Sequence, residues 1–220
     1  MAVEEIVTDP SSRRPLASRG TFWAKAMASR LARRTITPNQ ISQAGIGFAL
    51  IAGVFFWLSA DLSGWARILC LIGAAVGIQL RLLCNLLDGM VAVEAGKGAP
   101  DGAFWNEVPD RIADILILVG AGYGAGLPAL GWAASAFAVF TAYLRAFGQS
   151  LGQAADFRGP MAKPHRMAAL TFGALATCFE PLLGDHRYVL ATVLTLVLAG
   201  TLWTCLRRAR GILAFLNRKR

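Results

Sequence analysis

From Thr35 to Ala60 the chain runs 26 residues without a charged side chain, and its stretch Ile46 to Leu58 is dense in Phe, Ile, Leu and Val. A helix needs about 20 such residues to cross a hydrocarbon core about 30 Å thick. Because backbone polar groups in hydrocarbon must be satisfied within the element, the run predicts a transmembrane helix. Five more apolar segments follow, at Trp65–Leu87, Ala103–Gly124, Ala129–Gly148, Met167–Phe179 and Tyr188–Leu206. Turns at Asp61–Gly64, Pro128 and Glu180–Arg187 separate them, with polar stretches at Asp88–Gly102 and 149–166. The expected fold is all-α, a polytopic membrane protein of six transmembrane helices. Composition agrees, with 55% hydrophobic and 16% charged residues and a mean hydropathy of +0.51. Those values exclude disorder, collagen and a disulfide framework.

Charge placement sets the expected orientation. With both termini on one side, seventeen Lys and Arg residues fall on that side, and only Arg67 and Arg187 fall opposite. The positive-inside rule then makes the termini cytoplasmic, in a bacterial-type inner membrane. Residues 1–35 read as a basic cytoplasmic segment, 36–206 as the six-helix domain and 207–220 as a basic tail. The first segment lacks the apolar core of a signal peptide, so a retained N-terminus is expected. Phe22 and Trp23 beside Lys25 and Arg30 predict an amphipathic helix on the membrane surface. The net charge of +9 is read as topology and attraction to anionic membrane lipids, with no nucleic-acid partner.

Asp88, Glu94, Glu107, Asp110 and Asp114 lie between the second and third spans or inside the start of the third. A carboxylate at depth costs about 2.5–3.5 kcal/mol on insertion scales, so something cationic or wet must compensate it. Lys97 and Arg111 are the bases nearby in sequence and leave a negative excess. Asn106, Asp110 and Asp114 share one helix face, and Asn85 and Asp88 stand three apart on the preceding helix. Two facing rows of carboxylate and amide oxygens suit a hard cation such as Mg²⁺, which completes its shell with substrate phosphates. The alternative is a helix start whose acids answer its positive dipole end.

The stretch Asn85-Leu-Leu-Asp88-Gly89-Met-Val-Ala92-Val93, followed by Gly102-Ala-Phe-Trp-Asn106-Glu-Val-Pro-Asp110, resembles the signature of the CDP-alcohol phosphotransferase family: D-x-x-D-G-x-x-A-R, a spacer, then G-x-x-x-D-x-x-x-D. Asp88, Gly89, Ala92, Gly102 and Asp110 match it. Asn85 and Asn106 stand where the family has its first and third aspartates, and Val93 where it has arginine. The run Thr37-Pro38-Asn39-Gln40-Ile41-Ser42 looks like the family's entry to its first helix.

The resemblance implies a transferase of phospholipid biosynthesis that moves a phosphatidyl or phospho-alcohol group from a CDP-linked donor, such as CDP-diacylglycerol, to an acceptor alcohol, releasing CMP. It implies two Mg²⁺ or Mn²⁺ ions. Asp88 would be a ligand, Asn85 and Asn106 weakened ligands, and Asp110 a ligand or the general base. Glu94, Glu107 and Asp114 stand close enough in sequence to restore the missing charge. Asp88, Gly89, Ala92 and Gly102 would line the CDP site. Arg145, Arg158, Lys163 and Arg166, around the polar loop after the fourth span, would meet phosphate or acceptor, as basic residues do there in family members that use phosphorylated acceptors.

Other features read plainly. Cys70, Cys84, Cys178 and Cys205 are scattered singly, and His165 and His186 lack ligand spacing. Gly73/Gly77 and Gly120/Gly124 permit close helix contact, within the subunit or in a homodimer. Two other functions compete with transfer: a cation or proton transporter using intramembrane carboxylates, and a family member that has lost catalysis and binds lipid.

Overall fold

The computed structural model describes residues 21–34, 36–94, 100–184 and 188–218. It is all-helical there: α1 Phe22–Ala32, α2 Pro38–Leu58, α3 Gly64–Glu94, α4 Gly102–Gly124, α5 Pro128–Ser150, α6 Lys163–Thr177 and α7 Tyr188–Asn217, with a 3₁₀ turn at Glu180–Leu183. Among the described residues four helices are long and apolar enough to cross a membrane: α2, residues Gly64–Val93 of α3, α5 and α7. Lys97, His186, Arg187 and residues 1–20 lie outside the described residues, as does the side chain of Glu94.

Local chemistry starts these helices where the chain needs them. Thr37 caps α2 with a capping box: its hydroxyl accepts from the Gln40 amide at 3.2 Å, and Gln40 Oε1 accepts from the Thr37 amide at 2.9 Å. Pro38 occupies the first turn, where its missing N–H costs nothing. Between α4 and α5, Gly126 adopts φ +69° and the Leu127 amide reaches back to the Gly122 carbonyl at 2.8 Å, so one short turn reverses the chain.

The helices pack backbone to backbone through small residues. A Cβ on Gly53 would sit 2.4 Å from the Leu116 carbonyl oxygen; one on Gly120 would sit 2.3 Å from that of Gly53, and one on Gly124 2.4 Å from that of Phe56. Gly73 makes room for the Phe55 ring, and Gly77 for the Ala52 Cβ and the Phe48 carbonyl. Both pairs singled out in the sequence are therefore used inside the subunit, joining α4 and α3 to α2. Ala52, Ile78, Ile117, Met167 and Leu194 fill the buried centre. A second cluster packs Ala24 and Ala28 of α1 on Leu87, Met90 and Val91 of α3, while Phe22 stays 89% exposed.

Three boundaries differ from the sequence expectation. The stretch Asp88–Gly102 was expected as a polar connection, yet α3 continues to Glu94. Asp88 is thus a helical residue held in the wall of the bundle. α6 begins at Lys163, inside the expected polar loop, because Pro164 suits its first turn. α7 passes without a break through Leu206 to Asn217, and Arg208 on it is buried. At the opposite end Arg67 is a buried clasp: its Nη2 donates to Glu180 Oε2 at 3.0 Å, and Glu180 Oε1 accepts from the Val189 amide at 2.6 Å, linking α3, the 3₁₀ turn and α7.

Gly120→Val is expected to lower thermal stability in detergent by several degrees or prevent folding, since its branched side chain meets backbone that cannot yield. Gly47→Ala, with nothing within 4 Å of the new Cβ, should be neutral or slightly stabilising in the same unfolding measurement.

Candidate functional site

The end of α3 and the starts of α2, α4 and α6 meet at one end of the bundle. On α3, Arg81, Asn85 and Asp88 stand four and three apart and share a face; on α4, Asp110 and Asp114 do likewise. Ser42, Arg81, Asn85, Asp88, Trp105 and Asp110 line a narrow cleft of about 10 Å³, room for one water-sized sphere. The structure therefore brings together Asn85, Asp88 and Asp110 across the two helices.

Each carboxylate is engaged. Asp88, 7% exposed, accepts from Ser42 Oγ at 2.7 Å and from the Gly89 amide at 2.6 Å. Asp110 Oδ1 accepts from Arg81 Nη2 at 3.1 Å, and its Oδ2 pairs with Lys163 Nζ. The same ammonium donates to Asn85 Oδ1 at 2.8 Å, bridging α3 and α4. Pro109 precedes Asp110 inside α4 and has no amide hydrogen to give the Trp105 carbonyl.

Asp114 lies deeper. It is fully buried, accepts from Arg166 Nη2 at 2.7 Å, and its Oδ1 lies 3.8 Å from Arg81 Nη2. Arg166, 1% exposed, also donates to the Met161 carbonyl at 2.8 Å, so this pair ties α6 and the preceding loop to α4. Glu107 is half exposed and outside the cleft lining; it accepts from Arg145 at 2.6 Å and from Arg111 at 3.0 Å. Asn106 is exposed on the first turns of α4, and Gly102 opens that helix with space around it. Ala92 is partly buried near the end of α3, and Val93 beside it is 62% exposed.

Arg158 sits in the α5–α6 loop, where its side chain folds back on Asp156 at 3.0 Å. Burial alone would raise the Asp156 pKa, but hydrogen bonds from the Arg158 side chain and backbone, and the charges of Arg158 and Arg208, outweigh it and hold the carboxyl below its ordinary value. Arg145 turns the other way, stacking on Phe157 at 5.3 Å beside a wider cavity of about 350 Å³ between α4 and α5, which Arg111, Tyr143 and Gln149 also line.

Two site residues and one buried support of the α5–α6 loop escaped the sequence reading. Arg81 is 2% exposed and couples Asp110 to Asp114; an arginine in the middle of an apolar span was the available signal, since such a charge is retained there only with a partner. Ser42 lay in the quoted entry run, but nothing in its spacing linked it to Asp88. Arg208 was counted with the basic tail, yet its Nη1 donates to the Thr141 carbonyl at 2.5 Å and its Nε to the Arg158 carbonyl at 3.3 Å. The four cysteines are free, and His165 is exposed.

Among the described residues no three Asp, Glu, His or Cys side chains stand together as a metal cluster. The cleft offers two carboxylates, Asp88 and Asp110, and the Asn85 amide oxygen, all hard donors. Mg²⁺ commonly binds through one or two carboxylates plus substrate phosphates, so this set fits one such ion completed by substrate.

The chain is similar along most of its length to two known proteins and along part of it to a third. It is 29% identical over 198 residues to inner membrane protein YnbA of Escherichia coli, covering 87% of this chain and 88% of that protein. It is 26% identical over 172 residues to a phosphatidylinositol phosphate synthase of Mycobacteroides abscessus, covering 73% and 72%. A shorter match, 37% over 94 residues, joins it to an archaetidylinositol phosphate synthase of Aeropyrum pernix, covering 42% of this chain and 48% of that one. The two matched synthases agree with the resemblance to the CDP-alcohol phosphotransferase family. No family model matches the chain.

The fold is shared with solved structures. Mycobacterium tuberculosis phosphatidylinositol phosphate synthase PgsA1 with CDP-DAG bound superposes with a TM-score of 0.72 at 21% identity, over 86% of this chain and 92% of that one. The same enzyme in complex with manganese and citrate gives 0.70 at 20% identity, over 86% and 88%. Asp114→Asn should lower stability by about 3–5 kcal/mol, because Arg166 is left buried and uncompensated. Glu107→Gln, at an exposed pair, should cost under about 1 kcal/mol; thermal unfolding of both variants in detergent separates a scaffold acid from a surface one.

Proposed function

We propose that this protein is a membrane transferase of phospholipid biosynthesis that moves a phosphatidyl or related phospho-alcohol group from a CDP-linked donor to an acceptor alcohol and releases CMP. The observation that carries the reading is the convergence of Asn85, Asp88 and Asp110, at the signature's spacing, in one cleft that Arg81 also lines, with Lys163 bridging Asn85 and Asp110. The names of the matched synthases support the donor class.

Asp88 and Asp110, with the Asn85 oxygen, would hold Mg²⁺ or Mn²⁺. The resemblance implies a pair of ions; one is what the two unsubstituted aspartates balance. A bound ion supplies polarisation of the phosphorus and charge for the departing CMP. Ser42 and the Gly89 amide hold the Asp88 carboxylate in one orientation. Arg81 fixes Asp110, and its buried Nη1, without a hydrogen-bond partner among the described residues, is a donor left over for a diphosphate oxygen. Asp110 would take the proton of the acceptor hydroxyl as that oxygen bonds to phosphorus and the bond to CMP breaks. Gly89, Ala92 and Gly102 would leave room for the nucleotide. Arg145, Arg158 and Arg166 would set the positive field for a phosphorylated acceptor, Arg145 and Arg158 from the loop side and Arg166 from within the wall.

In this reading all six helices α2 to α7 span the membrane, α4 entering with its polar turns at the site and α6 crossing only part of the thickness. α1 lies on the cytoplasmic surface with Phe22 and Trp23 toward lipid, and both termini and the cleft face the cytoplasm of an inner membrane. A lipid-dissolved donor reaches the cleft sideways while the polar acceptor arrives from water.

Purified protein in detergent with Mg²⁺ or Mn²⁺ and CDP-diacylglycerol should release CMP when offered alcohols in turn, inositol phosphate and glycerol phosphate among them. Asp110→Asn should lower that release by at least about a hundredfold, the scale of a lost general base. Release at the unaltered rate in that variant removes Asp110 from the chemistry.

A further inference from the structure

Lys163 stands in an unexpected place. Sequence reasoning put it in a polar loop, facing a substrate phosphate. In the structure it is the first residue of α6, mostly buried, with its ammonium between the Asn85 amide oxygen and the Asp110 carboxylate. A cation touching one oxygen from each of two facing helices occupies the kind of position a bridging metal ion takes.

The charges agree with that placement. Two of the four positions that are aspartates in the family signature are amides here, Asn85 and Asn106, which removes two negative charges, the charge of one divalent ion. Arg81 and Lys163 both pair with Asp110, so two positive charges already stand beside the two carboxylates of the cleft, while Arg111, 3.7 Å from Asp110, is paired with Glu107. One divalent ion together with a diphosphate diester, which carries two negative charges, leaves that balance intact. A second ion would leave two positive charges uncompensated in a buried cleft, where repulsion is screened far less than in water. Asn85 completes the arrangement: its carbonyl oxygen accepts from the ammonium.

We propose that Lys163 replaces the second divalent ion of the site, so that this chain works with one ion and a built-in ammonium. The proposal deepens the transferase reading and rests on it. Bridging Asn85 and Asp110, Lys163 holds the two helices at the spacing a metal pair would impose and meets the diphosphate as the second cation.

Equilibrium dialysis of the purified protein against Mn²⁺ in the presence of CDP, with metal analysis of both sides, reads the number of ions directly. One ion per chain is expected for the wild type, and two for the Asn85→Asp, Lys163→Met double variant. Two ions in the wild type, or one in the folded double variant, overturns the proposal. If the double variant does not elute as a folded species, Asn85→Asp alone decides alongside the wild type: with Lys163 in place the count should stay at one, and a rise to two overturns the idea. CMP release separates the two levels of the argument. Two ions with CMP release in the wild type defeats only the role of Lys163, whereas no bound ion and no release defeats the transferase reading as well.

Discussion

The site end of this bundle depends on Arg81. Its guanidinium, 2% exposed in the middle of an apolar helix, reaches Asp110 at 3.1 Å and approaches Asp114 at 3.8 Å. A lone arginine or a lone carboxylate at that depth would cost several kcal/mol, so neither is tolerable without the other. The pairing also sets the α4 face that meets α3, because rotating α4 by one residue would carry both carboxylates away together. Arg166 and Lys163 extend the same logic to α6, so three helices are keyed to one another by opposite charges.

Such keying works only because the helix backbones come close. Gly53, Gly120 and Gly124 let α2 and α4 touch main chain to main chain, and Gly122 meets Gly131 across the α4–α5 turn. Packing through small residues suits a lipid setting, where apolar side chains gain little by leaving the solvent. The scaffold is held by dispersion and backbone approach along its length, and by ion pairs at its two ends, with Arg67 and Glu180 serving opposite the cleft. Functional groups are thereby held in position by the same contacts that hold the fold.

Much of this was legible in the chain. Apolar run lengths showed where the helices lie, and the Asp-Gly-x-x-Ala spacing singled out Asp88 and Asp110, which do share a cleft. The acids near them did not separate by spacing. Glu107 and Asp114 are three and four residues from Asp110 on one helix, yet Glu107 is half exposed and Asp114 fully buried in a pair with Arg166. A charged side chain's role here depends on which neighbouring helix lies opposite it, and local periodicity carries no record of that.

The sequence by itself determined the all-helical membrane character and the oxygen-rich chemistry of Asn85, Asp88 and Asp110, because these follow from residue type and short-range period. Only the tertiary structure decided that α3 carries Asp88 into the bundle wall, that the Gly-x-x-x-Gly pairs are used within the subunit, and that Lys163 leaves the loop to sit between Asn85 and Asp110. The reason is physical: desolvated charges and bare backbone surfaces take their partners from helices dozens of residues away, and which partner is taken depends on how all the helices close together.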